Sequence, residues 1–252
     1  MQTNYIYRLQ NIKDKEPTDW YRCQCGVIFQ EDFPSHKAYD KKYMETYSES
    51  FTRAIMQRYH QAYLYCRLIE ELSLGRKMLD VGFSGNTTNM DYFAARGWLT
   101  WGIDRNVDIE PGGRIYQGDF VDYDFALPVD EKTLKEVIGE LSLNDRKFDL
   151  IWMSHVFEHF NDPIKALYKA YDLLEDDGIL YISTPDIDFI NKTGVPNFAH
   201  FTKDEHYLMW SESALKRELE RIGFKVVLSR RNFSSRCISW YDIQVIAQKN
   251  YF

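Results

Sequence analysis

Short apolar runs alternate along the chain with segments whose apolar positions recur every three or four residues. Seven of the runs predict strands, near residues 77–82, 99–104, 114–117, 148–153, 178–183, 224–229 and 240–248. Helical spacing predicts helices near residues 87–96, 130–142, 162–174 and 211–222. Because parallel strands need crossover connections, this alternation predicts an α/β fold, a mostly parallel seven-stranded sheet with helices on both faces.

Two further segments flank this pattern. Apolar residues recur at helical spacing before the first strand, at Phe51, Ile55, Tyr59, Tyr63, Cys66 and Ile69. They predict a first helix over 48–72 with one face against the core. Residues 1–47 are polar, aromatic-rich and poorly periodic, so we predict an N-terminal extension on a domain that covers 48–252. The long aperiodic stretch 185–210 follows the fifth strand, at the sheet edge where open α/β folds bind ligands.

Composition narrows the classes of function. The chain has 252 residues and a formal net charge of −7, with acidic and basic residues interleaved. This balance is the opposite of a basic nucleic-acid footprint, so duplex DNA or RNA is a poor partner. We find no apolar run near the roughly 18 residues that span a bilayer and no basic leader before an apolar core, so we predict a cytoplasmic protein without membrane contact.

A glycine turn follows the first predicted strand of the sheet. Gly82 and Gly85 bracket Phe83 and Ser84, and glycines at such a turn let the backbone approach a ligand closely. Thr87 is placed to cap the helix that follows. Asp104 ends the next strand, 22 residues beyond Gly82, near the spacing at which a carboxylate meets ribose hydroxyls. We therefore predict a nucleotide-cofactor loop, residues 82–86, which we call the cofactor loop.

The acid that precedes this loop indicates which kind of cofactor it suits. Asp80 lies two residues before Gly82, where it would repel a pyrophosphate but attract an ammonium and a sulfonium. The chain also lacks the three glycines of a dinucleotide loop. A nicotinamide-dependent oxidoreductase is therefore an alternative that Asp80 disfavours.

These residues resemble the first motif of class I S-adenosylmethionine-dependent methyltransferases, D-x-G-x-G-x-G, with Ser84 and Asn86 in place of the later two glycines. Four further segments resemble the motifs that follow in that family: 102–104, 118–120, 148–159 and 173–185. The resemblance covers roughly residues 75–249 and implies a Rossmann-like fold that binds S-adenosylmethionine. The residues that it implies for cofactor binding are Asp80, Gly82, Phe83, Ser84, Gly85, Asp104, Arg105, Asp119, Phe120 and Ser154.

The residues for chemistry follow the fourth strand. His155, Glu158 and His159 recur at steps of three and four, so on a helical turn they share one face. A histidine can take the proton of an acceptor hydroxyl during methyl transfer, and a carboxylate can orient it. His155 is our first candidate for the general base, with Glu158, His159 and His200 in support.

The same cluster has two other interpretations. With His200 or His206 it could hold a divalent ion, because some metal-dependent O-methyltransferases carry a related Glu-x-x-Glu-His pattern. It could also be structural, as a helix cap or a backbone hydrogen bond. We assign no metal ligand, and the base interpretation ranks ahead of the metal.

The N-terminal extension carries a weaker resemblance. Cys23-Gln24-Cys25-Gly26 resembles the second knuckle of a small zinc ribbon that precedes some sugar methyltransferases. Structural zinc needs four ligands and the chain has no first cysteine pair upstream, so we predict a degenerate hairpin without metal. The four cysteines are predicted to be reduced thiols.

Together the motifs predict an enzyme that transfers the methyl group of S-adenosylmethionine to a small polar acceptor, most plausibly an oxygen of a saccharide or metabolite. Residues 185–210, which we call the acceptor loop, are expected to wall the acceptor pocket. A non-catalytic scaffold with the same fold is the alternative from another class, suggested by the missing glycines. Nothing in the pattern specifies an oligomeric state.

Overall fold

A computed structural model describes residues 3–10, 17–23, 27–30, 51–105, 114–125, 147–188, 206–232 and 242–250. Within them the strands form two sheets, one of seven strands and one of four. The larger sheet has the order β10-β11-β8-β7-β4-β5-β6. Its strands are β4 (Lys77–Val81), β5 (Leu99–Asp104), β6 (Ile115–Gln117), β7 (Phe148–Ser154), β8 (Leu174–Pro185), β10 (Phe224–Asn232) and β11 (Asp242–Lys249).

The topology of this sheet confirms the predicted α/β fold. Strands β4 to β8 pair in parallel, and β11 runs antiparallel to both β8 and β10. The central strand β7 is buried along its whole length, as expected for a parallel strand that helices cover on both faces. The carboxyl ends of β4, β5, β7 and β8 therefore meet at one edge, where ligands of open α/β sheets bind.

Two apolar layers cover the faces of the sheet. Alternate strand residues point to opposite faces, so Met153 packs with one layer and Trp152 with the other. The first layer contains helices α3 (Pro163–Leu173) and α4 (Glu212–Ile222), and the second contains α1 (Phe51–Leu72) and Phe93 of α2 (Thr88–Ala94). Among the described helices, none has both the length and the apolar character that a membrane span needs.

The helix boundaries follow local signals. Asp162 accepts a hydrogen bond from the Lys165 amide at 2.9 Å and caps α3, while Ser211 caps α4 through the Ala214 amide at 3.2 Å. Gly223 ends α4 with φ 120°. The helix predicted over 130–142 lies outside the described residues.

The buried face of α1 differs from the predicted stripe. Tyr59 and Tyr63 are 51% and 62% exposed, whereas Ala62 and Tyr65 are buried. The Tyr65 hydroxyl donates a hydrogen bond to Gln244 of β11, and Tyr59 packs edge-on against Tyr92 of α2. Cys66 and Ile69 of the predicted stripe are buried, so the prediction is wrong at Tyr59 and Tyr63, where Tyr65 is the buried aromatic instead.

The N-terminal extension contributes a sheet of its own. Strands β1 (Thr3–Gln10), β2 (Pro17–Cys23) and β3 (Ile28–Gln30) pair antiparallel, and β3 continues onto β9 (Leu208–Met209). The expectation of reduced thiols is wrong for Cys23, which is disulfide-bonded to a partner outside the described residues. Within the described part of the chain, no cysteine belongs to a cluster with metal-ligand geometry.

Candidate functional site

The cofactor loop leaves β4 through three residues in the left-handed region. Gly82, Ser84 and Gly85 have φ of 71°, 52° and 69°. A Cβ atom on Gly82 would lie 2.5 Å from Cγ2 of Val156, in the turn that follows β7. Gly82 is therefore required both by its backbone conformation and by this close approach between the loop and the turn.

Asp80 lies beneath this loop and is buried. Asn89 Nδ2 of α2 donates a hydrogen bond to Asp80 Oδ2 at 3.2 Å. Burial raises the pKa of Asp80 to about 7, although Arg58 and Asn89 act to lower it. The carboxyl group is thus poised to ionise near neutral pH, and an approaching cation would favour the ionised form.

Arg58 of α1 holds the loop from below, and sequence reasoning missed it. Its Nη1 donates to the carbonyl oxygens of Phe83 at 2.9 Å and Asn86 at 3.4 Å, and its Nη2 to that of Gly82 at 3.5 Å. Burial lowers the pKa of Arg58, while Asp80 and Asp104 raise it. No local pattern in the sequence indicates Arg58, because the inward face of α1, on which it lies one turn before the buried Ala62, is visible only once the helix packs on the sheet.

Polar side chains at the other loop positions organise the loop itself. The Ser84 amide donates to Asp104 Oδ2 at 2.8 Å, which joins the loop to the end of β5. Asn86 Oδ1 accepts from the Thr88 amide at 3.1 Å. The predicted cap by Thr87 is wrong, because its hydroxyl donates to Asp91 instead and leaves the helix start to Asn86.

The third predicted motif forms a turn after β6. Arg105 and Asp119 form an ion pair, and Asp119 Oδ1 accepts from the Val121 amide at 2.7 Å. Phe120 is buried, with its ring centroid 6.0 Å from that of Phe160. The described contacts of Asp119 and Phe120 are therefore with the protein, and their assignment to the adenine stays a prediction.

Two other predicted cofactor residues lie deeper. Phe83 is fully buried and packs with Met90 under the loop. Ser154 Oγ donates to Gln61 Oε1 of α1 at 2.8 Å, and Gln61 Nε2 donates to Ser183 Oγ at 3.3 Å. These side chains join α1 to the carboxyl ends of β7 and β8.

His155 lies between two buried carboxylates. Its Nε2 is 3.1 Å from Asp242 Oδ2, and its Nδ1 is 3.5 Å from Glu158 Oε1. Burial alone would lower the pKa of His155, but these two carboxylates raise it to about 10. Since each ring nitrogen faces an acceptor, both carry a proton, and at neutral pH the ring has no lone pair for another. Asp242 lies 87 residues further along the chain, and no local pattern in the sequence indicates it.

Glu158, His159 and His206 form a second group beside it. Glu158 is fully buried, and its Oε2 accepts from Thr184 Oγ1 at 3.0 Å. Glu158 Oε1 is 4.0 Å from His159 Nε2, and the rings of His159 and His206 have centroids 4.9 Å apart. Burial would raise the pKa of Glu158, but His155 and His159 hold it well below its usual range. His200, the fourth predicted catalytic residue, lies outside the described residues.

This second group has the donor set of a divalent-ion site. The ligand atoms of Glu158, His159 and His206 lie within 4.8 Å of one another. Glu158 Oε1 is buried and has only the long contacts with His155 and His159, at 3.5 Å and 4.0 Å, so the carboxylate could also accept a cation. His155 is not a member of this set, because the two carboxylates already engage its ring.

Solved structures of other proteins share the fold of this chain. The chain superposes on an S-adenosylmethionine-dependent methyltransferase of Clostridium acetobutylicum with a TM-score of 0.55 and 12% identity, over 83% of this chain and 98% of that one. The TM-score is 0.53, at 15% identity and over 98% and 99% of the two chains, for 1,6-didemethyltoxoflavin-N1-methyltransferase of Burkholderia thailandensis, whose structure holds S-adenosylhomocysteine. Both likenesses show the fold.

Sequence relatives carry the assignment further. The chain is 26% identical over 171 residues to a ubiquinone biosynthesis O-methyltransferase of Haemophilus ducreyi. The alignment covers 60% of this chain and 69% of the relative. The family model described as "Methyltransferase domain" matches residues 56–229, more than half of the chain. This match decides against the oxidoreductase and scaffold alternatives. The chain belongs to the methyltransferase-domain family and is a class I enzyme that uses S-adenosylmethionine.

Proposed function

We propose that this enzyme transfers the methyl group of S-adenosylmethionine to an oxygen of a small polar acceptor, such as a saccharide or metabolite. The observation that carries the proposal is the pairing of the half-buried His159 with the buried carboxylate of Glu158, 4.0 Å apart, at the carboxyl edge of the sheet. This pair follows a turn whose Val156 touches the cofactor loop. The name of the Haemophilus ducreyi relative, an O-methyltransferase, supports oxygen as the methylated atom.

The cofactor half of the proposal follows the motifs. Asp80, Gly82, Ser84 and Gly85 hold the methionine end, where the Asp80 carboxylate attracts the ammonium group of the cofactor. The carboxylate of Asp104, at the end of β5, binds the ribose. The adenine goes to Asp119 and Phe120 on the turn after β6, with Arg105 as the ion-pair partner that fixes Asp119. Phe83 and Ser154 support the loop and the edge of β7 from below.

We exchange the roles that the sequence-based prediction gave to His155 and His159. His155 is charged at neutral pH because Asp242 and Glu158 surround it, so we assign it to orientation of Glu158. His159 then takes the proton of the acceptor hydroxyl as its oxygen attacks the methyl carbon, and the sulfonium leaves as a neutral thioether. The Glu158 carboxylate stabilises the imidazolium that forms on His159.

A divalent ion is the second candidate for activation of the hydroxyl. Glu158, His159 and His206 would hold it, and the buried Glu158 Oε1 favours it. Such an ion would lower the pKa of a bound hydroxyl, so that its proton could pass to solvent water and the protein would need no general base. In that case His159 is a ligand and His155 still orients Glu158.

The test is transfer of a labelled methyl group to a panel of sugars and hydroxylated aromatic compounds. We expect His159→Gln to lower turnover by about 10²–10⁴-fold, the range for loss of a general base, with unchanged affinity for S-adenosylhomocysteine. Chelation by EDTA leaves the wild-type rate unchanged if His159 is the base and abolishes it if a metal activates the hydroxyl. Full turnover in both His159→Gln and EDTA-treated enzyme would exclude both mechanisms.

A further inference from the structure

The group of Glu158, His159 and His206, which we call the catalytic cluster, is contacted by the N-terminal sheet through one short strand. Strand β3 pairs with β9, with Ile28 opposite Met209 and Phe29 opposite Leu208. Beyond the last pair, the Gln30 amide donates to the Tyr207 carbonyl at 3.2 Å. The extension therefore contacts the end of the acceptor loop and does not form a separate module.

The side chain of Gln30 adds a contact directed at the cluster. Its Nε2 donates to the backbone carbonyl of His206 at 2.7 Å, across 176 residues of chain. Gln30 is only 2% exposed. A buried amide that loses its hydrogen-bond partner is unfavourable, so this hydrogen bond holds the His206 carbonyl in position.

The peptide between His206 and Tyr207 is also held on its amide side, by the turn that carries Glu158 and His159. The Tyr207 amide donates to the Glu158 carbonyl at 3.1 Å. Residues 206 and 207 thus lie between Gln30 and the turn that carries Glu158 and His159. These two hydrogen bonds fix the backbone of His206 and thereby the position of its ring, whose centroid lies 4.9 Å from that of His159.

We infer that Gln30 is a positioning residue for His206, and that the N-terminal sheet is a wall of the acceptor site. The inference rests on the proposed function for its catalytic meaning. Gln30 acts through the backbone of His206, to whose carbonyl it donates. A displacement of about 1 Å in such a site can reduce turnover by about 10²-fold.

Two variants of Gln30 and one control test this role. Gln30→Ala removes the donor, and Gln30→Glu sets a carboxylate against the His206 carbonyl. Gln248→Ala is the control, because Gln248 Nε2 also donates to backbone carbonyls, those of Leu72 and Asp177, but at the opposite edge of the sheet. If Gln30→Ala fails to fold, Gln30→Asn keeps the amide and shortens its reach by one methylene.

Amide hydrogen exchange at 206–209 and the NMR signals of the His159 and His206 rings are the primary measurements. We expect faster exchange and shifted ring signals in the Gln30 variants, with affinity for S-adenosylhomocysteine within about twofold of wild type and kcat/KM lowered by about 10²-fold. Unchanged ring signals in Gln30→Ala, or equal shifts in Gln248→Ala, would overturn the inference. A wild-type enzyme that binds the cofactor product but methylates no hydroxyl would instead contradict the proposed function, because the exchange and NMR results need no acceptor.

Discussion

At the scale of single residues, Asp80 shows how one buried carboxylate can couple cofactor binding to pH. Burial favours its neutral form, and the nearby guanidinium of Arg58 favours its charged form. A ligand ammonium would add to the effect of Arg58. The result is a group whose pKa of about 7 lies in the range where the enzyme is expected to work.

We predict that affinity for S-adenosylhomocysteine rises as the pH rises through about 7, because Asp80 must lose its proton to attract the ligand ammonium. The folded-state pKa is raised above the unfolded value, so for the free protein this group contributes stability below the unfolded pKa that is lost as the pH rises through about 7. Calorimetric titration across this range measures the affinity.

Three variants of this titration separate the causes. Asp80→Asn should remove the pH dependence of binding, and Arg58→Met should move its midpoint upward because the carboxylate loses its nearest cation. Arg67→Met is the matched control, since Arg67 lies on the same helix but is exposed and pairs with Glu71. A midpoint that moves equally in both arginine variants would contradict the role of Arg58.

Some residues of the site could be predicted from the sequence, and others could be identified only in the structure. Asp80, Gly82 and Asp104 follow from spacing along the chain, because strand, loop and next strand end are consecutive. Arg58 and Asp242 reach the site only after helix α1 and strand β11 pack on the sheet, and their signal is tertiary. The charge on His155 was missed for the same reason, since one of the two carboxylates that impose it is Asp242.

At the scale of elements, the ion cluster at His155 joins the end of β7 to the start of β11. The ring contacts Asp242 on one side and Glu158 of the following turn on the other. His155 itself has φ 52°, and its amide donates to the Ser183 carbonyl of β8 at 2.8 Å. Three segments of the sheet edge thus meet at one residue, two through its ring and one through its backbone amide.

We predict that Asp242→Asn destabilises the fold by about 3–5 kcal/mol, because it leaves a buried charge without one partner. The pKa of His155 is raised in the folded state to about 10, so its contribution is complete below the unfolded pKa and is lost as the pH rises through about 10. Urea unfolding at a series of pH values should show this loss in wild type and a smaller one, at lower pH, in the variant.

The control is Asp122→Asn, which removes an exposed carboxylate that pairs with Lys165 at 3.0 Å. Solvent screens such an exposed pair, so we expect the free energy of unfolding of this variant to stay close to that of the wild type. Equal destabilisation by the two substitutions would show that His155 gains nothing from burial of its partner.

Elements differed in how well sequence could place them. The strands of the large sheet were found because each is an apolar run between turn signals, and all seven predicted strands are present. The predicted stripe of α1 placed Tyr59 and Tyr63 inward, whereas the structure exposes both. Tyr65 is buried instead, and its contact with Gln244 depends on how the helix packs on the sheet. Strands β1 to β3 were reduced to a hairpin in the prediction, because residues 1–47 lack a clear strand period and the partner of β3, strand β9, lies at the far end of the acceptor loop.

At the scale of the whole molecule, cofactor binding should stabilise the domain, since the loop joins β4, β5, α1 and the turn after β7. A ligand at about 100 times its dissociation constant adds roughly 2.7 kcal/mol to the stability of the native state. We expect S-adenosylmethionine and S-adenosylhomocysteine to raise the melting temperature and NAD to leave it unchanged. Asp104→Ala should reduce the shift, and a shift with NAD of the same size would contradict the cofactor assignment.

The pairing of β3 with β9 also governs when the protein can finish folding. Gln30 and His206 are 176 residues apart, so β3 cannot pair with β9 until the chain has been synthesised beyond Met209. Contacts between such distant segments form late, because closing a long loop is slow and unfavourable until other contacts reward it. Strand β3 is therefore synthesised well before its partner β9. Until the two pair, its unpaired backbone groups can pair with other chains.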